Sequence, residues 1–280
     1  MFIVMNKKRI YKIIAVLFIM CLLTIGIFIK CSRNTKTNSK PAGYVALVID
    51  DLGYHGDGTD ELLKLNIPIT AAVMPFSPFT KSDAEAAYKA GIEVIMHIPM
   101  EPVVGKKEWL GPRGITCDLS DEEIKLRIKD GLEEINYAVG MNNHMGSKAT
   151  QDGRVMGDIL TIAKGKNLFF LDSKTNPNSI VEDVAAKLDV SYFERDIFLD
   201  NVKNQQTIEK QLEKLKRVAL EKGYAIGIGH VGAEGGTITI NAIKNMIPVL
   251  EREGIEFVNI SKLKALVKNN NKKEREKVLP

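Results

Sequence analysis

The chain has 280 residues, 45% of them hydrophobic and 26% charged, enough apolar material for one large or two ordinary cores, which excludes a disordered or collagen-like chain. Its net charge of +4 is carried at the ends: residues 1–40 hold eight bases and no acid, residues 264–280 hold six bases against two acids, and residues 41–263 are left with −8. An acidic middle argues against a nucleic-acid groove on the main body.

In chain order, Ile13 to Ile29 (IIAVLFIMCLLTIGIFI) is seventeen residues without a charge. As a helix this run is about 26 Å long at about 1.5 Å per residue, close to the roughly 30 Å of a bilayer core. It follows a basic cluster and predicts one N-terminal transmembrane helix. No small-residue cleavage site follows it, so residues 1–30 read as an uncleaved signal anchor. The chain would then meet the cytoplasmic membrane through residues 13–29, with its body outside the cytoplasm; secretion after signal cleavage is the alternative. Four bases precede the run and four follow it, so the positive-inside count does not set the orientation by itself. Residues 31–43 (CSRNTKTNSKPAG) read as a flexible linker and 264–280 as a fraying, solvated basic tail. Cys21, Cys31 and Cys117 form neither a disulfide framework nor a cysteine zinc site.

Between Tyr44 and Leu263 short apolar runs alternate with longer amphipathic ones. Strands are predicted at 44–49, 69–74, 92–96, 138–142, 168–171, 191–193, 225–228 and 256–260, and helices at 58–65, 80–90, 120–137, 153–164, 179–187, 205–221 and 240–252. Ser120 followed by three acids offers an N-cap, and Gly140 and Gly223 stand where helices need C-caps. Seven or eight such units in about 220 residues predict an α/β fold, a parallel β/α barrel over 44–263, with a doubly wound open sheet as the alternative.

Polar residues interrupt this pattern at the strand ends. Asp50 and Asp51 end the first strand, His97 the third, His144 the fourth, Asp172 the fifth and His230 the seventh. In a β/α barrel these ends gather on one face, where ligands bind. Singly, a strand-end Asp reads as a helix cap and His97 or His144 as a structural histidine. Together, one Asp with two His is a usual ligand set for zinc or a related divalent metal. His55, in GYHGDG, reads as a loop residue without chemistry.

VALVIDDLGY, MHIPMEP, NNHMGS, FFLDSKT, ERDIFLD and GIGHVG together resemble the divergent branch of the polysaccharide deacetylases, relatives of carbohydrate esterase family 4, over Tyr44 to Leu263. The resemblance implies an irregular, often seven-stranded β/α barrel and a metal-dependent hydrolase that removes acetyl groups from a polysaccharide or envelope glycan. It also implies roles: Asp50 as general base, Asp51 and His97 as ligands of a divalent metal, most simply Zn2+, and His230 as general acid. Asp172 joins the catalytic set, and the family's usual arginine role is left to Arg195 or Lys174, orienting Asp50 or Asp172. The family's second histidine, four residues after the first, is replaced by Glu101, flanked by Pro99 and Pro102. His144 therefore stands as third ligand, with Glu101 as the alternative. Trp109, in the Gly105–Gly114 loop, is a candidate sugar platform or a loop anchor. The altered ligand set leaves a second reading, a catalytically silent envelope protein that binds a glycan or a partner in the same cleft.

Overall fold

The computed structural model describes Met20, residues 40–232 and residues 235–278; the predicted anchor at 13–29, apart from Met20, and most of the linker lie outside these. No helix among the described residues is long and apolar enough to cross a membrane.

The strands are β1 Gly43–Leu52, β2 Thr70–Val73, β3 Glu93–Met100, β4 Gly140–Met145, β5 Phe169–Asp172, β6 Tyr192–Glu194, β7 Ile197–Phe198, β8 Tyr224–His230 and β9 Ile255–Val258. The helices are α1 Thr59–Leu62, α2 Thr80–Lys89, α3 Asp121–Glu134, α4 Gly153–Gly165, α5 Val181–Leu188, α6 Gln205–Lys222, α7 Gly236–Arg252 and α8 Ile260–Val278. The strands form one sheet in the order β6-β5-β4-β3-β2-β1-β8-β7, with β9 beside the first half of β1. All pairings between them are parallel. The two ends of this path are one bent piece of chain. Arg195 N donates to Asp172 O on the β5 side, and Asp196 N and Leu199 N donate to Ile226 O and Ile228 O on the β8 side.

Alternate residues of β1 go to different cores. Val45, Leu47 and Ile49 pack outward under the helices; Ala46 and Val48 point inward with Ala72, Ile95, Leu171, Ile226 and Ile228. Burial on both faces is why the strands read as continuous apolar runs. α8 packs Leu263, Leu266 and Val267 against the inner cluster beside Tyr44 and Tyr224, which open β1 and β8. The inner core is thereby covered at the N-terminal end of the strands, leaving the C-terminal end for a site.

Ser120 caps α3 as predicted, its Oγ accepting Glu123 N at 3.2 Å, and Gly223 caps α6 in the left-handed region at φ 88°. Three expectations change. Gly140 opens β4 rather than closing a helix, because a Cβ there would lie 2.4 Å from the Phe169 ring that fills the inner core. The segment from 264, expected as a fraying tail, continues a helix to Val278, tied down by its apolar first turns. β7 adds a strand absent from the sequence reading, because two residues are too few to show a period.

Candidate metal and acid–base site

Asp50 continues the inward phase of Ala46 and Val48 to the end of β1 and is 1% exposed. An extended chain would turn Asp51 away from it. Instead the β1–β2 register shifts between Ile49 and Leu52, and Asp51 adopts φ 68°, a left-handed conformation that Asp tolerates better than most residues. The chain therefore turns between the two carboxylates at Asp51 itself. Gly53, at φ 115°, completes it where a Cβ would come within 2.9 Å of Met74 O.

The turn brings Asp51 Oδ1 to 3.2 Å from His97 Nε2 and 3.0 Å from His144 Nδ1. Ligand atoms of Asp51, His97 and His144 all lie within 4.8 Å of one another. Asp51 Oδ1 and His97 Nε2 are buried and have no hydrogen-bond partner. Buried polar atoms are ordinarily satisfied, so two that face each other mark a place for a cation. The set of one carboxylate and two imidazoles suits a divalent transition metal, and three protein ligands leave coordination positions open. Burial raises the Asp51 carboxyl, but the two imidazoles outweigh it and hold the group well below the usual carboxylate range. Asp50 goes the other way: burial pushes its pKa up against the opposing pull of His97 and His230. Adjacent carboxylates are thus separated into a persistent anion and a more basic group. For His97, burial pushes down, and Asp50 and Asp51 more than compensate, so its pKa is raised.

Across the cleft, His230 extends the inward phase of Ile226 and Ile228 at the end of β8. Its Nδ1 lies 2.8 Å from Asp200 Oδ1. Asp200 Oδ2 accepts from His230 N, Lys203 Nζ and Thr239 Oγ1, each at 2.8 Å. Burial alone would lower the imidazole pKa, but the bond to Asp200 and the charges of Asp50 and Asp51 raise it to about 9. His230 is therefore an imidazolium at neutral pH, with Nε2–H as its remaining donor. Asp50, Asp51, His97, His144, Asp200 and His230 line one cleft of about 360 Å³.

Asp200, the last residue of ERDIFLD, has no role in the sequence reading. The available signal was its place directly after the short apolar run Ile197–Leu199, the same strand-end position that drew attention to Asp50. Asp172, expected in the catalytic set, is placed otherwise. It shares the outward phase of Phe170, which packs under the helices. Its oxygens accept Lys174 N at 2.8 Å and Ser179 Oγ at 2.6 Å, so it braces its own loop and does not line the cleft. Glu101, the alternative ligand, accepts Cys117 N and Lys148 Nζ, each at 2.8 Å, and stands outside the Asp51–His97–His144 group, because the chain leaves β3 at Met100 before reaching it. Neither proposed orienting cation reaches Asp50. Arg195 donates to Ser173 O and Lys174 O and lies over Phe198, and Lys174 pairs with Glu194 at 3.0 Å. The donor to Asp50 is Asn142 Nδ2, at 2.9 Å. Trp109 sits on a short 3-10 turn, 55% exposed, and His55 Nδ1 is held by Asp83 Oδ1 at 3.0 Å in its loop.

A parallel β/α sheet with a metal-competent carboxylate–histidine cluster at its C-terminal end defines a deacetylase-like class of protein. The family model for divergent polysaccharide deacetylases matches residues 47–264, and the chain belongs to that family. It is 35% identical over 189 residues to YibQ, an uncharacterized protein of Escherichia coli K12, covering 68% of this chain and 59% of that protein. It is 33% identical over 186 residues to an uncharacterized protein of Haemophilus influenzae, covering 66% of each. The chain thus spans less than two thirds of the length of these relatives. An uncharacterized protein of Agrobacterium tumefaciens C58 shares the fold at a TM-score of 0.74 and 21% identity, covering 81% of this chain and 91% of that one.

Proposed function

We propose that the protein is a metal-dependent hydrolase that removes acetyl groups from a polysaccharide or envelope glycan, with Zn2+ as the metal. The observation that carries this reading is the meeting, in one cleft, of a cluster with two unsatisfied buried ligand atoms and a carboxylate-held imidazolium. Metal-free glycan binding would require neither feature, which sets the silent-binder reading below the hydrolytic one.

Asp51, His97 and His144 would hold the metal, which supplies polarisation of the acetyl carbonyl and a water nucleophilic at neutral pH. Asp50, 3.6 Å from His97 Nε2 and made more basic by burial, is placed to take the proton of the attacking water. The new C–O bond forms as the acetyl carbon releases its nitrogen or oxygen substituent, and His230 Nε2–H gives that leaving atom its proton. Asp200 holds His230 in the protonated form until then. The exposed faces of Trp109 and Tyr54, on the loops after β3 and β1, are surfaces on which a pyranose ring can stack.

In this reading residues 13–29 anchor the protein in the cytoplasmic membrane with its domain outside, supported by the uncharged run and its basic flanks. Acetate release from acetylated chito-oligosaccharides and peptidoglycan fragments, by the full chain before and after chelation and Zn2+ return, tests the activity. Release that ignores chelation, or none from any acetylated glycan at full zinc occupancy, overturns it. Cell fractionation with sequencing of the mature N-terminus tests the anchor against secretion after cleavage.

A further inference from the structure

We infer that Asn142 is the positioning residue that couples the two parts of this machinery, one amide fixing both the carboxylate of Asp50 and the nitrogen of His97 that faces a cation. The inference rests on Asp51, His97 and His144 being a metal site. Asn142 is fully buried in β4, in register with His97 of β3 and two residues before His144. Its Nδ2 donates to Asp50 Oδ1 at 2.9 Å, and its Oδ1 meets His97 Nδ1 at 2.7 Å.

An amide is asymmetric: its nitrogen only donates and its oxygen only accepts. The Asp50 carboxylate offers lone pairs, so it takes the nitrogen. Only the oxygen is left for His97, and an oxygen there requires His97 to carry its proton on Nδ1. In the neutral ring Nε2 is then a bare lone pair, 3.2 Å from Asp51 Oδ1. Both are among the buried atoms of the described residues without a hydrogen-bond partner, and two facing lone pairs repel unless a cation lies between them. The orientation of the Asn142 amide thus selects the tautomer that can bind metal and holds the base beside it.

Residue type matters as much as position. A carboxylate at 142 would accept from His97 Nδ1 as well as the amide does, as carboxylates commonly do behind metal-bound histidines. It would have no proton for Asp50 and would add a third negative charge to a buried group that already holds Asp50 and Asp51. An apolar side chain would release both partners. Among simple replacements, an amide satisfies base and ligand together without adding charge.

The full chain, with Zn2+ as the probe, gives the test. Long-range 1H–15N spectra of the zinc-loaded protein should show His97 protonated at Nδ1 with zinc on Nε2. Asn142→Leu should weaken zinc binding by about 10–100-fold, measured by competition with a chromophoric chelator. Asn142→Asp should keep zinc affinity within about tenfold of wild type, retain the Nδ1–H signal and still lose most acetate release, separating the two duties. Wild-type zinc affinity in Asn142→Leu, or zinc on Nδ1 of His97, overturns the inference. If Asn142→Leu does not fold, Asn142→Asp decides: a retained Nδ1–H signal with zinc bound supports the inference and its loss overturns it. Should wild type release no acetate while the zinc and spectroscopic results hold, the coupling stands and the hydrolase reading falls.

Discussion

The two sides of the cleft use the same residue types, Asp and His, and differ in how completely they satisfy each other. On the β8 side Asp200 meets four donors, among them the ring and backbone of His230. On the β1–β3–β4 side Asp51 Oδ1 and His97 Nε2 face each other without a hydrogen bond. A closed pair fixes a charge, here an imidazolium that persists to about pH 9, whereas an open pair presents two lone-pair atoms that suit a cation. Chemistry that needs both a Lewis acid and a proton donor needs one of each.

The largest expected effect comes from breaking the open side. His97→Ala should lower zinc affinity by more than about 100-fold and abolish acetate release, whereas Asp50→Asn should keep the zinc and lose about 100-fold or more in turnover. Zinc content by elemental analysis beside kcat separates the two, and equal zinc loss in both would erase the distinction drawn between ligand and base. Breaking the closed side comes next. Asp200→Asn should leave zinc in place, cut turnover about 100-fold and move the alkaline limb of the rate profile from about 9 toward the ordinary histidine value near 6.5. Stability follows the same sign. Because the folded pKa of His230 lies above its unfolded value, the pair's contribution is complete below about 6.5 and disappears as pH rises through about 9. Urea unfolding at pH 6 and pH 10 should show that decline in wild type and not in Asp200→Asn; a decline equal in both would place it elsewhere. Smallest of all are the residues the fold turns away. Asp172→Asn should cost about 1–3 kcal/mol of stability through its loop, and Glu101→Gln should leave zinc content unchanged. Lost zinc or lost turnover at full zinc occupancy in either would return it to the site.

Eight of the nine strands begin or end within about two residues of their sequence positions, because runs such as VALVI and AIGI, bounded by Gly and polar residues, carry their own boundaries. The candidate cluster was legible for a related reason: Asp51 and His144 lie one residue from the ends of β1 and β4, His97 lies three from the end of β3 where its apolar run breaks off, and parallel strands bring these C-terminal halves together. What the pattern could not carry was phase. In a strand buried on both faces, inward and outward positions are both apolar, so Asp172 and Asp50 look alike until the structure shows one behind the sheet and the other in front. Asp200 and Asn142 were missed for the converse reason. Their importance lies in a partner, His230 in one case and His97 with Asp50 in the other, that is far away in the chain. Asn142 also carries no charge to attract notice.

The place of β1 in the sheet has a consequence in time. One edge of β1 is shared by β2 and β9 and the other is taken by β8, so its neighbours include both the next strand to be made and the last two. A chain that emerges N-terminus first presents Asp50 and Asp51 early, yet neither is complete until residues near 230 arrive and pair alongside. Contacts this distant in sequence form late and slow the search for the native state. Until β8 docks, the carboxylate pair is without its His230 counterpart. Asp51, His97 and His144, by contrast, come from β1, β3 and β4, which are all made before β8, so the three candidate ligands precede their imidazolium counterpart in the chain.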